Sequence, residues 1–342
     1  MFFVVMLVCG IITYGQSIDK IINAKEVERI ERILSADDMQ GRAPFTPGID
    51  KAAEFIAAEF KKSGIQPVSG ESFLQEFSLL RLRMTSAKGL LDGKTIDPRN
   101  IAIISTEPDV IMDQTSGYEK IRVSASDVLY EIIQPLADTD KKYLVIVDTV
   151  HKQMFNSLKR FRQNTFPHKA TIVAVLSNND PTNYAIEYKQ TVTPQPLKNV
   201  VGIIPGNKKK DEYVIFSGHY DHLGIRQPNK DGDSIYNGAN DDAAGITAVI
   251  MLANYFAAKK DNERTLIFAA FTAEESGGYG SKYFSQQYEP AKVMAMFNIE
   301  MIGTESKWGT NSAFITGYER TNMGKILEKN LEKRSEEHTS EL

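Results

Sequence analysis

The sequence predicts an α/β fold with parallel strands, interrupted by an inserted β-rich lobe, and three observations carry that prediction. Past residue 200 the apolar segments run strand, helix, strand. Tyr213-Val214-Ile215-Phe216 comes first, then Ile246, Val249, Ile250 and Ala253 at helical spacing between Gly245 and Lys259, then Thr265 to Phe271. That order is a βαβ unit, whose crossover makes the strands parallel. Both strands are unbroken apolar runs rather than alternating ones, which marks strands covered on both faces. From about Leu80 to Thr193 the character changes to short apolar strands, such as Tyr143 to Val147 and Thr171 to Leu176, among long polar connections.

The 342 residues, 42% hydrophobic and 25% charged, match ordinary globular usage and suggest about two domains. A formal charge of −4 gives no reason to expect a nucleic-acid surface or an anionic membrane as partner. Met1 to Ile12 is almost wholly apolar and leads to Thr13, Gly15, Gln16 and Ser17, the pattern of a secretory signal peptide over residues 1–16. It is too short for a spanning helix, so the expected location is secreted or periplasmic, with no stable membrane anchor. Cys9, the single cysteine, lies inside that segment, which leaves the mature chain without thiol chemistry.

Ile18 to Ser35 shows helical spacing, with Ile22, Val27, Ile30, Ile33 and Leu34 on one stripe. A loop of turn formers follows, from Ala36 to Pro44 and on to Thr46-Pro47-Gly48. A second amphipathic helix is predicted from about Ile49 to Ser63, stopped by Gly64. Thr193-Pro194-Gln195-Pro196 reads as the linker out of the inserted lobe. A further helix near Gly280 to Gln287 and a strand from Val293 to Ile299 extend the main sheet.

The chemistry sits where these strands end. Ser217-Gly218-His219-Tyr220-Asp221-His222 follows the first buried strand, and such a strand delivers its successor residues to the sheet's carboxyl edge. In His-x-Asp both side chains lie on one side of the backbone, so Asp221 could fix the His219 tautomer and leave one nitrogen for a metal. Asn240-Asp241-Asp242 carries two acids into a helix start, Glu274-Glu275 follows the second buried strand, and Glu300 ends the last one. Alone, each acid has an ordinary reading, as an N-cap, a surface pair or a strand's first solvated residue. Together with His219 they are ligand stock for zinc or a similar divalent ion, with carboxylates enough for two ions sharing a bridge.

In the order Gly218-His219-Tyr220-Asp221, Asn237 to Gly245, Thr272-Ala273-Glu274-Glu275-Ser276-Gly277 and Asn298-Ile299-Glu300-Met301, the chain resembles the bacterial two-zinc aminopeptidase family. Asp38-Met39-Gln40-Gly41-Arg42 and Thr46-Pro47-Gly48 share the resemblance. Relatives of that family include glutamate carboxypeptidase, glutaminyl cyclase and the transferrin-receptor ectodomain. The resemblance implies a three-layer zinc-exopeptidase fold with a mixed, mainly parallel central sheet over residues 17–80 and 194–333. It also implies that the β-rich insert at 81–193 is akin to a protease-associated lobe. It implies two zinc ions, the first held by His219, Asp241 and Glu300, the second by Asp241 as a bridge and Glu275. Glu274 would be the general base and Asp221 the orienter of His219, the Asp241–Asp242 bond a candidate cis peptide, and His222 no ligand. The expected activity is an aminopeptidase acting on peptides through a metal-activated water. Carboxypeptidase and glutaminyl cyclase chemistry on the same fold are the alternatives, as is a non-catalytic binding ectodomain, which would need none of His219, Asp241, Glu274 and Glu275.

Two departures from the family pattern stand out. Glu300 occupies a position where the best-known members have Asp, and its extra methylene adds about 1.5 Å of reach that the site must absorb. The family's last histidine ligand lies well downstream, and the one histidine after Glu300 is His338, in Arg334 to Leu342. That stretch, residues 334–342, has no apolar periodicity and resembles the in-frame translation of a sequencing-library adapter. The expectation is a truncated gene fragment whose native sequence stops near Lys333, a second zinc left with two carboxylates, and a chain inactive as a two-zinc peptidase as it stands.

Overall fold

The computed structural model describes residues 18–330 apart from 162, 308, 310, 311 and 314, with 159–161 described by backbone alone. The expected signal peptide, Cys9 and the tail bearing His338 lie outside the described residues. The chain divides into two compact units, one built from residues up to Glu76 and from Leu197 onward, the other from Phe77–Pro196.

In the first unit the leading helical stripe breaks in two, Ile18–Ile21 and Ala24–Leu34. Asn23 is the cause: its backbone is extended and its side chain accepts the Glu26 N–H at 3.1 Å, so it caps a new helix. Helix Pro47–Ser63 begins on a proline and ends at Gly64, whose left-handed φ of 82° admits the N–H bond to the Lys61 carbonyl. Helix Ala244–Lys259 buries Ile246, Val249, Ile250, Met251 and Ala253.

The sheet of this unit is mixed. Strand Lys209–His219 lies between Val293–Asn298 and Arg264–Phe271, parallel to both, and residues 200–204 of the long strand Tyr184–Ile204 add an antiparallel neighbour to Arg264–Phe271. Register decides the function of this arrangement. Ser217 is paired with Ala269 on one side and Asn298 on the other, and His219 with Phe271. The three parallel strands therefore finish at one level, and the segments bearing Asp221, Glu274 and Glu300 leave the same edge.

Alternation along these strands sends side chains to two faces. Val200, Leu266, Phe268 and Ala270 pack beneath the helices Ala24–Leu34, Pro47–Ser63 and Ala244–Lys259. Val201, Ile215, Ile267, Ala269 and Phe271 face Phe284 of helix Tyr279–Ser285. Two helical layers thus enclose the sheet. Phe216 is stacked on Phe256, Phe268 and Phe297 with ring centroids 5.6, 5.7 and 5.3 Å away, an aromatic cluster linking three strands to a helix.

The second unit contains a four-stranded sheet in the order Ile101–Ile104, Thr171–Leu176, Lys142–Val147, Glu119–Val123. Three of these strands run parallel, and helices Leu129–Ala137 and Lys152–Phe161 pack on one face. The reading of this region as strands and polar connections missed both helices. Leu129, Ile133 and Ala137, the buried positions of the first, recur every four residues, a period short enough to be lost within a nine-residue element. No described helix is long and apolar enough to cross a membrane.

Replacing Phe268, fully buried in the aromatic cluster, by alanine should cost about 3–5 kcal/mol. Ile111→Ala, at a position 71% exposed, should stay within about 0.5 kcal/mol. Chemical denaturation of both variants checks the pair; equal midpoints would mean the cluster is not a packed core.

Candidate metal centre

His219 ends its strand nearly buried, with Nε2 2.9 Å from Asp241 Oδ1. Its Nδ1 lies 3.1 Å from the Asp221 carbonyl and 3.8 Å from the Asp221 carboxylate. The His-x-Asp spacing predicts this carboxylate beside the ring, and in the structure its two oxygens also accept backbone N–H groups. Asp221 Oδ1 accepts the Glu274 N–H at 2.9 Å and Oδ2 the Glu275 N–H at 3.2 Å. The turn after strand Arg264–Phe271, where Ala273 has a φ of 55°, presents these two successive amides to one fully buried carboxylate.

Asp242 does for three segments what Asp221 does for one. Also fully buried, it accepts the N–H of His219 at 3.2 Å, of Gly245 at 3.0 Å and of Met301 at 3.2 Å. It therefore joins the end of the His219 strand, the start of helix Ala244–Lys259 and the exit of strand Val293–Asn298. Gly245 is required here: a Cβ would stand 2.1 Å from the Ile299 carbonyl oxygen and 2.4 Å from Asp242 Oδ1. The Asp241–Asp242 peptide bond is cis.

Arg42, from the early Gln40-Gly41-Arg42 segment, is fully buried beneath this loop. Its Nε donates to the Tyr220 carbonyl at 2.8 Å, Nη1 to the carbonyls of Leu34 and Asn237, and Nη2 to the Gly238 carbonyl at 2.9 Å. The Arg42 carbonyl in turn accepts the His222 N–H at 3.2 Å. One guanidinium fork thus ties a helix C-terminus, the residue after His219 and the loop leading to Asp241. Burial lowers its pKa to about 10, partly offset by Asp221, Asp242 and Asp241, so it stays charged at neutral pH.

His222, which matches no ligand position of the resembled family, lies beside the same acids. Its Nδ1 lies 2.8 Å from Glu275 Oε1 and 4.0 Å from Asp241 Oδ2. Among the described residues, His222, Asp241 and Glu275 form a group whose donor atoms all lie within 4.8 Å of one another, and mixed imidazole and carboxylate donors suit zinc. No strand periodicity locates His222, because it follows the strand end and its place is set by the bond to Arg42. Glu300 is exposed and outside this group; its Oε1 accepts from Asn298 Nδ2 at 2.6 Å.

The electrostatics are those of crowded acids around buried cations. Burial pushes the Asp242 carboxyl up to about 7, against His219 and its amide donors and aided by Glu300. Burial also raises Glu274, reinforced by Asp221, Glu300 and Glu275 and opposed by His219. For His219, burial favours the neutral ring, but Asp221, Asp242 and Glu274 outweigh it and bring the pKa up to about 10.

Acid and imidazole donors gathered at the carboxyl edge of a mixed α/β sheet define the class, an α/β protein with a candidate divalent-metal centre. Residues 199–342 match the model of peptidase family M28. A probable zinc metalloprotease of Pyricularia oryzae is 36% identical over 115 residues, covering 33% of this chain and 22% of the relative. One of Phaeosphaeria nodorum, also a probable zinc metalloprotease, is 28% identical over 149 residues, 40% and 30% of the two chains. The alignments thus span less than a third of the length of these curated relatives. Among solved structures, the zinc aminopeptidase BSAP of Bacillus subtilis is 15% identical with a TM-score of 0.48, covering 92% of this chain and 78% of its own. The aminopeptidase of Aneurinibacillus sp. strain AM-1 is 17% identical with a TM-score of 0.45, covering 84% and 72%.

Arg42→Met should destabilise the first unit by about 3–5 kcal/mol, because it strands four carbonyl acceptors and removes the charge facing three carboxylates. Arg42→Lys should recover little of that, since an ammonium cannot reproduce the fork. Denaturant midpoints of the two variants test this; a lysine variant as stable as the parent would refute the clamp.

Proposed function

We propose that the chain is part of a zinc-dependent exopeptidase, an aminopeptidase, that removes N-terminal residues from peptides. The observation that carries this reading is the convergence of His222, Asp241 and Glu275 donor atoms within 4.8 Å, with His219 Nε2 2.9 Å from the same Asp241. Asp241, with Oδ1 2.9 Å from His219 Nε2 and Oδ2 4.0 Å from His222 Nδ1, would contribute to holding both ions. His219 and Asp241 would hold one ion, with Glu300 joining by a side-chain movement away from Asn298. Asp241 and Glu275 would hold the other.

Bound zinc supplies a Lewis acid that polarises the scissile carbonyl and lowers the pKa of water toward about 7. The rest falls to this chain's own groups. Glu274 is exposed at the rim, and Asp221 grips its backbone amide from behind, which fixes where its carboxylate can reach. Its raised pKa suits a base that takes a proton from the attacking water and returns it to the departing amine. Asp221 anchors Glu274 and Glu275 together, so base and ligand keep a fixed spacing. The apolar leader at 1–16 supports a secreted or periplasmic location, where peptides would be the substrates.

Hydrolysis of a peptide with a free N-terminus, and none of the same peptide N-acetylated, would support the aminopeptidase reading. Cleavage blocked only by C-terminal amidation would favour a carboxypeptidase, and ring closure of N-terminal glutamine a cyclase. In the full-length enzyme, Glu274→Gln should retain bound zinc while turnover falls about 10²–10⁴-fold. Zinc lost together with activity would reassign Glu274 as a ligand. Asp221→Asn should weaken zinc binding about 10–100-fold in a chelator competition, because a neutral amide holds two backbone N–H groups less firmly.

A further inference from the structure

We propose that His222 is a metal ligand through Nδ1, completing with Asp241 and Glu275 a three-donor site drawn entirely from residues 222–275. The identity of the ion rests on the metallopeptidase reading above. The inference begins with a side chain in an unusual state. His222 is 9% exposed, and its Nδ1 is buried with no hydrogen-bond partner among the described residues. More than nine in ten buried polar groups have such a partner. Nδ1 nevertheless stands 2.8 Å from Glu275 Oε1, near enough for a hydrogen bond but not aligned for one. Donor atoms around a tetrahedral zinc, at bond lengths of about 2.0–2.1 Å, stand about 3.3 Å apart. The 2.8 and 4.0 Å separations from Nδ1 to Glu275 and Asp241 bracket that spacing.

The ring is also held in place. Its backbone N–H is bonded to the Arg42 carbonyl, and its face lies against Gly238, where a Cβ would meet His222 Cγ at 2.6 Å and Cδ2 at 2.7 Å. Gly238 opens the loop that carries Asp241, so the same contact that fixes the imidazole fixes it relative to a second ligand. Structural zinc sites use four protein ligands and catalytic ones three plus an open position. With His222 the group reaches three.

The test uses the whole chain loaded with ¹¹³Cd and labelled with ¹⁵N-histidine. One-bond coupling between cadmium and His222 Nδ1 is expected. His222→Ala should weaken one metal equivalent by more than the roughly 10–100-fold that loss of an outer hydrogen-bond partner costs, while His219→Ala leaves the His222 coupling in place. Metal bound with coupling to His219 alone, and unchanged affinity in His222→Ala, would overturn the role of His222 and leave the metallopeptidase reading standing. A chain that binds no metal at all would overturn both.

Discussion

The candidate centre depends on the buried guanidinium of Arg42. Loops at a sheet's edge carry carbonyls that water normally satisfies, and burying four of them needs a donor of matching geometry. Arg42 meets the carbonyls of Leu34, Tyr220, Asn237 and Gly238 at once. Its position explains why the Asp241 loop sits where the His219 strand ends, although Arg42 is nearly two hundred residues upstream in sequence. The cost of burying its charge is offset by three nearby carboxylates, which in turn need that charge to remain ionised at close quarters.

Those carboxylates divide into two kinds by burial and partner. Asp221 and Asp242 are fully buried and spend their oxygens on five backbone amides, two from the Glu274–Glu275 turn and three from separate elements. Charge-assisted bonds of this type are stronger than neutral ones, so each acid is an anchor for the backbone that bears the reactive groups. Asp241, Glu274, Glu275 and Glu300 retain solvent access and make few backbone bonds, which leaves their oxygens for an ion, a water or a substrate. Gly238 and Gly245 belong to the same construction, since a methyl at either would collide with a carbonyl oxygen of the site itself.

Crowding like charges also defines what loading an ion must do. Neighbouring acids raise the pKa of His219, and burial raises those of Asp242 and Glu274, the latter reinforced by its acidic neighbours. A divalent cation bound there would compete with protons, so its binding would release them and strengthen as pH rises. The site thus gathers more acidic groups than cations, an imbalance that a bound divalent ion would offset.

The sequence alone determined what local pattern can encode. Unbroken apolar runs before His219 and before Thr272 are legible because burial on both faces leaves no alternation, and the βαβ order follows from chirality and connection length. The acids at successive strand ends were legible for the same reason: a parallel sheet sends consecutive strand ends to one edge. Only the tertiary structure decided the partners. Asp221 reads as a neighbour of His219 from its spacing, whereas the two amides of the Glu274 turn that its carboxylate also accepts are not legible there. His222 reads as an unremarkable residue past a strand end, and becomes a member of the centre because the Arg42 carbonyl and Gly238 hold it against Asp241 and Glu275. The physical reason is common to both: periodicity specifies which side of one element a residue occupies, whereas hydrogen-bond competition among buried groups is settled only when distant segments meet.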